Sequence, residues 1–293
     1  MPAIVLALVA IAIWSSLALL STATFGLPPL FTTGIALVIG GLVGLVRLRD
    51  WKVSLVTFAV GLGGIFGYHA LLFAAFSLAP PVEVNILNYL WPLLIVVLSP
   101  LVLPGLGLSP RHVAGAFLGL AGAVLVASGG EAGQGGGSLI GLGLAATAAL
   151  VWALYSLMTK RLPPFPTGAV GGFCLASGLL SLVLLALTGG PAFRLPSPSP
   201  GQWLALLALG IGPMGAAFYA WDASLKRGDP RVIGSLAYLT PLLSTFNLVV
   251  FGGKRFTPLT AAALVLIVGG ALLGSSGSFK KKAARMGAAA KAG

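Results

Sequence analysis

The residues able to do chemistry are few. The 293-residue chain holds two histidines, one cysteine and five carboxylates. His69 follows Tyr68 within the apolar run 61-GLGGIFGYHALLFAAF-76, and His112 stands where another apolar run begins. Covalent catalysis needs a nucleophile with a base in reach, and neither G-x-S-x-G nor H-E-x-x-H occurs. The lone Cys174 excludes an intramolecular disulfide and a cysteine-based metal site. No enzyme activity, no metal and no cofactor is expected.

Aromatic and amide side chains recur instead, at helical spacing. Asn85, Asn88 and Trp91 step along one stripe, and Trp152, Tyr155, Ser156 and Thr159 share a helical face. Thr240, Ser244 and Asn247 make a similar stripe. Interhelical hydrogen bonding, about 0.6 kcal/mol each in a membrane, accounts for the hydroxyls. It accounts less well for rings beside two amides near Pro92, because aromatic belts belong at membrane interfaces. Tyr68, His69, Asn85, Asn88, Trp91, Trp152 and Tyr155 are therefore the candidate substrate-binding residues. They suit an amphipathic solute: rings would stack at about 0.5–1.5 kcal/mol per pair, and amides would meet an amino or carboxylate group. His69 keeps three readings: a structural hydrogen bonder, a neutral ligand or a proton carrier. Asp222, four residues before Lys226, reads as an i, i+4 pair near a loop, and Glu83 as a carboxylate on a helix dipole.

The elements that must position these residues are membrane helices. The chain is 58% hydrophobic and 8% charged, with mean hydropathy +1.05, whereas a soluble domain carries about 25% charged residues. Spans of the roughly 20 residues a bilayer needs fall at 3–22, 29–46, 53–78, 82–101, 111–128, 139–158, 168–188, 202–225, 231–251 and 259–276. Between them lie loop compositions such as RLRDWK, LPGLGLSP, GGEAGQGGG, KRLPPFP and KRGDPR. The first span has no basic flank and no clear cleavage site, so it reads as a retained helix.

A net charge of +12 with pI ≈ 10.5 would suggest nucleic acid in a soluble protein. Here the basic residues cluster between spans and carry no aromatic-basic module, so no nucleic-acid partner is expected. With the N-terminus cytoplasmic, all but three of the 17 basic residues (Arg194, Lys254 and Arg255) fall inside. Both termini are expected in the cytoplasm of a multi-pass inner-membrane protein. The tail at 278–293 would hold anionic lipid.

The halves repeat. Trp14 in IAIWSSLALL matches Trp152 in ALVWALYSLM, and Pro92 in NYLWPLL matches Pro241 in AYLTPLL. Residues 61-GLGGIFG-67 match 210-GIGPMGA-216. With five helices per half, the second half enters the membrane from the other side. The expected fold is all-α: ten transmembrane helices as two inverted five-helix repeats at 1–130 and 139–277, joined by a linker at 131–138. Such repeats characterise secondary transporters, whose site lies between the halves. Gly61, Gly63, Gly64, Gly67 and Pro92, with Gly210, Gly212, Pro213 and Pro241, place helix breakers at matching depths. They read as close packing, with or without a hinge.

This arrangement, the Y-L-x-P motif in the fourth helix of each half and the closing glycine-rich helix resemble the EamA branch of the drug/metabolite transporter superfamily. The likeness covers residues from about 3 to 277. Within the branch, YHALLFAAFSLAPPVEVNILNYLWPLL is most similar to exporters of aromatic amino acids. The resemblance implies export of small metabolites from the cytoplasm, through a cavity lined by helices 1, 3, 4, 6, 8 and 9. Methionine, threonine and related amphipathic metabolites join the aromatic amino acids as expected substrates, and a monomer is expected to suffice. The first helix has Trp14-Ser15-Ser16 and no acid, unlike proton-coupled small multidrug exporters of the superfamily. Facilitated diffusion by alternating access is favoured; a proton-coupled exporter of drugs or other metabolites is the alternative.

Overall fold

The structure, a computed structural model, describes residues 1–128, 138–189, 194–251, 258–259 and 261–274. The tail at 278–293, nearly all of the linker at 131–138, and Lys254 and Arg255 lie outside the described residues. The described α-helices run, in chain order, α1 (Ala3–Trp14), α2 (Leu17–Thr22), α3 (Pro29–Val43), α4 (Leu55–Leu78), α5 (Pro81–Asn88), α6 (Leu90–Val102) and α7 (Pro110–Ser128). Then come α8 (Leu139–Arg161), α9 (Val170–Thr188), α10 (Pro200–Ile211), α11 (Ala217–Arg227), α12 (Pro230–Ala237), α13 (Leu239–Val250) and α14 (Ala261–Gly274). Among the described residues there is no strand. Among the described residues, seven helical segments are long and apolar enough to cross a membrane, so this is a polytopic membrane protein. Of the ten expected spans, the segments around α7 and α14 are shorter apolar helices, and the ninth is divided into α12 and α13.

Helix starts follow the sequence chemistry. Proline opens α3, α5, α7, α10 and α12, where its missing N–H is no loss. Ser199 and Gln202 form a reciprocal capping box on α10, and the Ser54 and Asp229 side chains cap α4 and α12.

The breaks follow it too. Pro92 and Pro241 clash with the carbonyls four residues earlier, which belong to Asn88 and Ala237, and those are the last residues of α5 and α12. The first span breaks after Trp14, where Ser15 and Ser16 turn their hydroxyls onto the Ala12 and Ile13 carbonyls. Around Pro213 the chain opens into a π turn, Gly212–Ala216. By contrast, α4 runs unbroken through Gly61, Gly63, Gly64 and Gly67. A glycine weakens a helix but still donates its N–H, so packing can hold the ladder closed.

Glycine faces set the helix pairs. The α3–α9 contact closes on Gly34, Gly41 and Gly178, where an added Cβ would strike the facing helix. Gly115 meets Gly270 and Gly274 in the same way between α7 and α14. The first helix packs on α11, and α8 packs on α4. Large apolar side chains such as Leu55, Leu187, Leu204 and Val265 stay exposed; a bilayer, not water, solvates such surface.

The basic loops meet on one face. The 3-10 segments Gly44–Trp51 and Thr167–Ala169 touch, with Asp50 against Gly168. Lys160 donates to the carbonyls of Leu225 and Gly228, Lys226 to that of Phe165, and Arg231 to that of Gly107.

Candidate functional site

Four indoles form the centre of the molecule. Trp14 ends α1, Trp91 begins α6, Trp152 lies midway in α8, and Trp221 lies in α11. The Trp14 ring lies 5.2 Å from that of Trp221, 6.0 Å from Trp152 and 6.3 Å from Trp91. Trp91 stands 5.5 Å from Trp221 and 6.5 Å from Trp152, both edge to face. Edge-to-face and tilted contacts of this length match the quadrupoles of the rings. Phe218 joins Trp14 at 6.0 Å and Trp152 at 5.4 Å.

The helix breaks position these rings. Trp14 donates its indole N–H to the Pro213 carbonyl at 3.0 Å, inside the π turn. A π turn displaces the backbone ladder, and such turns recur at functional sites. Asn247 on α13 donates to Ser15 Oγ at 3.0 Å, tying the break in the first span to the broken ninth. Trp221 in turn donates to Ser156 Oγ at 3.1 Å. All four of these indoles are buried, and the Trp14 and Trp221 N–H bonds tie α1 to the π turn and α11 to α8.

Six of the seven sequence candidates join this cluster. Tyr68 lies 5.1 Å from Trp152 and 4.9 Å from His69. Tyr155 follows at 5.4 Å from Trp152. Asn88 donates its amide to the Tyr68 hydroxyl at 3.1 Å, and its Oδ1 is buried with no hydrogen-bond partner among the described residues. An acceptor left bare in a buried site costs about 1–3 kcal/mol unless a ligand or water meets it. Asn85 does not join: it is exposed, three residues before Asn88.

His69 is 5% exposed, and its Nδ1 stands 2.7 Å from the Ile65 carbonyl. A carbonyl only accepts, so Nδ1 carries a proton, and in a neutral ring Nε2 would then be an acceptor. Its ring is 6.3 Å from those of Phe73 and Phe218. His69 is thus held through one nitrogen, and among the described residues the other makes no hydrogen bond.

Trp14, Phe218 and Trp221 were missing from the candidates. The repeat had already marked Trp14 as the counterpart of Trp152. Phe218, Trp221 and Leu225 share one helical face of α11, which was a readable signal.

The hinge candidates divide. Gly64 faces the Tyr155 ring and Gly61 the Phe173 ring, with no room for a Cβ, whereas a Cβ at Gly63 would meet nothing within 4 Å and one at Gly67 only Val151. Gly210 abuts α3, and Gly212 lies beside Ile13.

Among the described residues, no group of three or more His, Cys, Asp or Glu could hold a metal. The charged contacts collect instead at the basic face. Asp222 pairs with Lys226 at 2.7 Å, as its spacing predicts, but it is 1% exposed rather than at a loop edge. Asp229 pairs with Arg231. Burial pushes the Asp229 carboxyl up, but the hydrogen bonds and charge of Arg231 outweigh it and hold the group below the usual carboxylate range.

Comparison with known proteins decides the family. The EamA-like transporter family matches residues 1–128 and 139–276, nearly the whole chain. The chain belongs to that family. One EamA-like relative, the aromatic amino acid exporter YddG of Ancylobacter novellus, is 43% identical over 275 residues, covering 89% of this chain and 93% of its own. The YddG of Salmonella typhimurium is 27% identical, covering 83% and 86%. The uncharacterized transporter YvbV of Bacillus subtilis is 26% identical, covering 89% and 87%. A crystal structure at 42% identity superposes with a TM-score of 0.86, covering 93% of this chain and 97% of the other. The chain is thus an EamA-like transporter and not an enzyme.

Proposed function

We propose that this transporter exports amino acids, the aromatic ones foremost, from the cytoplasm across the inner membrane by alternating access without tight proton coupling. The observation that carries the reading is the cluster of four indoles, flanked by Phe218 and by Tyr68 on Trp152, with the unpaired Asn88 Oδ1 beside Tyr68. Rings there would stack on an aromatic side chain, while Asn88 and His69 Nε2 would accept from its ammonium. The name of the 43%-identical relative supports the same substrate class.

Ten spans in two inverted halves fit the pairing of elements. The first helix of one half packs on α11 in the other, and the first of the second half, α8, packs on α4. With the basic face cytoplasmic, both termini lie inside. The proline breaks at Pro92, Pro213 and Pro241 supply bending points on the two sides of the cage.

The test is counterflow of labelled L-phenylalanine and L-tryptophan in proteoliposomes, with a monomer as the expected unit. Equilibration without an imposed proton gradient is expected. Trp91→Ala removes a ring in contact with three others and should raise KM about tenfold. Flux that proceeds only with a proton gradient would overturn the facilitated mechanism; no flux of any amino acid would overturn the substrate class.

A further inference from the structure

Lys226 fills a small cage of its own at the basic end of α11. Its Nζ donates to Asp222 Oδ2 at 2.7 Å and to the Phe165 carbonyl at 3.0 Å, and lies 3.4 Å from the centre of the Phe165 ring. Thr167 donates its hydroxyl to the same Oδ2 at 2.6 Å. Carboxylate, carbonyl and aromatic face are the groups that receive an ammonium ion. The ammonium here sits on a flexible stem whose side chain is 19% exposed, whereas that of Asp222 is 2% exposed. The other oxygen, Asp222 Oδ1, is buried with no hydrogen-bond partner among the described residues. A purely structural ion pair in so dry a place would be expected to satisfy both oxygens.

The surroundings point the same way. Phe58 and Phe165, both half-buried, each pack at 6.0 Å on the buried Phe173 ring, so aromatic surface lies near the carboxylate. Trp221, the neighbour of Asp222 in sequence, belongs to the central indole cage. The matching position in the first half is Phe73, and the matching position to Lys226 is Ser77, so this ion pair has no copy at the opposite face.

We propose that Asp222, Thr167 and Phe165 form a loading site on the basic face for the α-ammonium of an aromatic amino acid, and that Lys226 is its tethered stand-in. The incoming ammonium takes the place of Nζ and, not being tied to α11, reaches the Oδ1 that Lys226 leaves unpaired. Its ring lies against Phe58 and Phe165, the half-buried rings that pack on Phe173, before the solute passes to the indoles. This deepens the reading of the protein as an amino-acid exporter and rests on it.

The experiment is one-sided flux in proteoliposomes of sorted orientation, with L-phenylalanine offered at either face. Lys226→Met keeps the stem and removes the competing ammonium. It should lower the half-saturating concentration at the basic face about tenfold and leave the opposite face unchanged. As competitors at the basic face, 2-phenylethylammonium should gain in the same proportion and 3-phenylpropionate should not. The paired variant D222N/K226M removes both charges without stranding either, and should return the basic-face value to that of the wild type or above. Equal gains at both faces, or for both competitors, would mean a loosened gate and would overturn the site, as would no gain at all. If the wild type carries no amino acid, only the exporter reading falls. The site is then read by calorimetry of 2-phenylethylammonium in detergent: tighter binding to K226M than to the wild type, lost in D222N/K226M, sustains it, and equal binding overturns it.

Discussion

The segments 61-GLGGIFG-67 and 210-GIGPMGA-216 both weaken a long apolar helix at matching depth, but α4 stays continuous through the first while the second opens into a π turn. The difference lies in one residue type. Glycine costs about 1 kcal/mol against alanine yet leaves the hydrogen-bond ladder intact, whereas Pro213 removes a donor and displaces a carbonyl. The Pro213 carbonyl is then taken by the Trp14 indole. Weak propensity thus becomes close packing in one half and a shaped backbone in the other.

The comparison breaks most sharply at Gly64. Leucine there would collide with the Tyr155 ring, and overpacking of this kind costs about 1–3 kcal/mol or more. Gly64→Leu is expected to lower the yield of folded protein and the melting temperature, read by size-exclusion chromatography in detergent. Pro213→Ala comes next. It returns a backbone N–H to the π turn, so flux should fall severalfold while melting temperature holds or rises; unchanged flux would show that the turn has no part in transport. Gly63→Ala should do the reverse of Gly64→Leu. Its Cβ would meet nothing within 4 Å, so stability should rise by up to about 1 kcal/mol with flux intact. A loss of flux in this variant alone would favour a hinge in α4.

The smallest effect separates the ends of the two helices. Beyond α4 the chain continues with Ala79 and two prolines, but beyond α11 it carries Asp229, paired with Arg231. Because the folded carboxyl lies below its unfolded value of about 3.9, its contribution is present above that pH. It is lost as pH falls through the folded value. Melting temperature should be flat from about pH 6 to 8 and drop below about 4, and Asp229→Asn should soften that drop.

Much of this was legible because membrane helices advertise themselves. Proline at Pro92 and Pro241 foretold breaks, and the geometry of the ring clash places them four residues upstream, at Asn88 and Ala237. The spacing of Asp222 and Lys226 foretold their pair. Burial did not follow from spacing, since Asp222 is enclosed by Thr167 and Phe165 from a distant part of the chain. Asn85 and Asn88 share a stripe and a single helix, α5, yet Asn85 is exposed and only Asn88 meets Tyr68, a contact set by α4 rather than by local spacing. The glycines of α4 were ambiguous for a similar reason. Whether each is a contact or a gap depends on rings carried by α8 and α9, which no local pattern records.

Four of the six tryptophans are joined by five ring contacts of 5.2–6.5 Å around the proposed transport path. Indoles held so close and at fixed angles share their electronic transitions. The near-ultraviolet circular dichroism of the protein should therefore carry an exciton couplet reporting the cage alone. Any movement that parts α1 from α11, or α6 from α8, would dim that couplet, so the working cycle carries its own unlabelled optical clock.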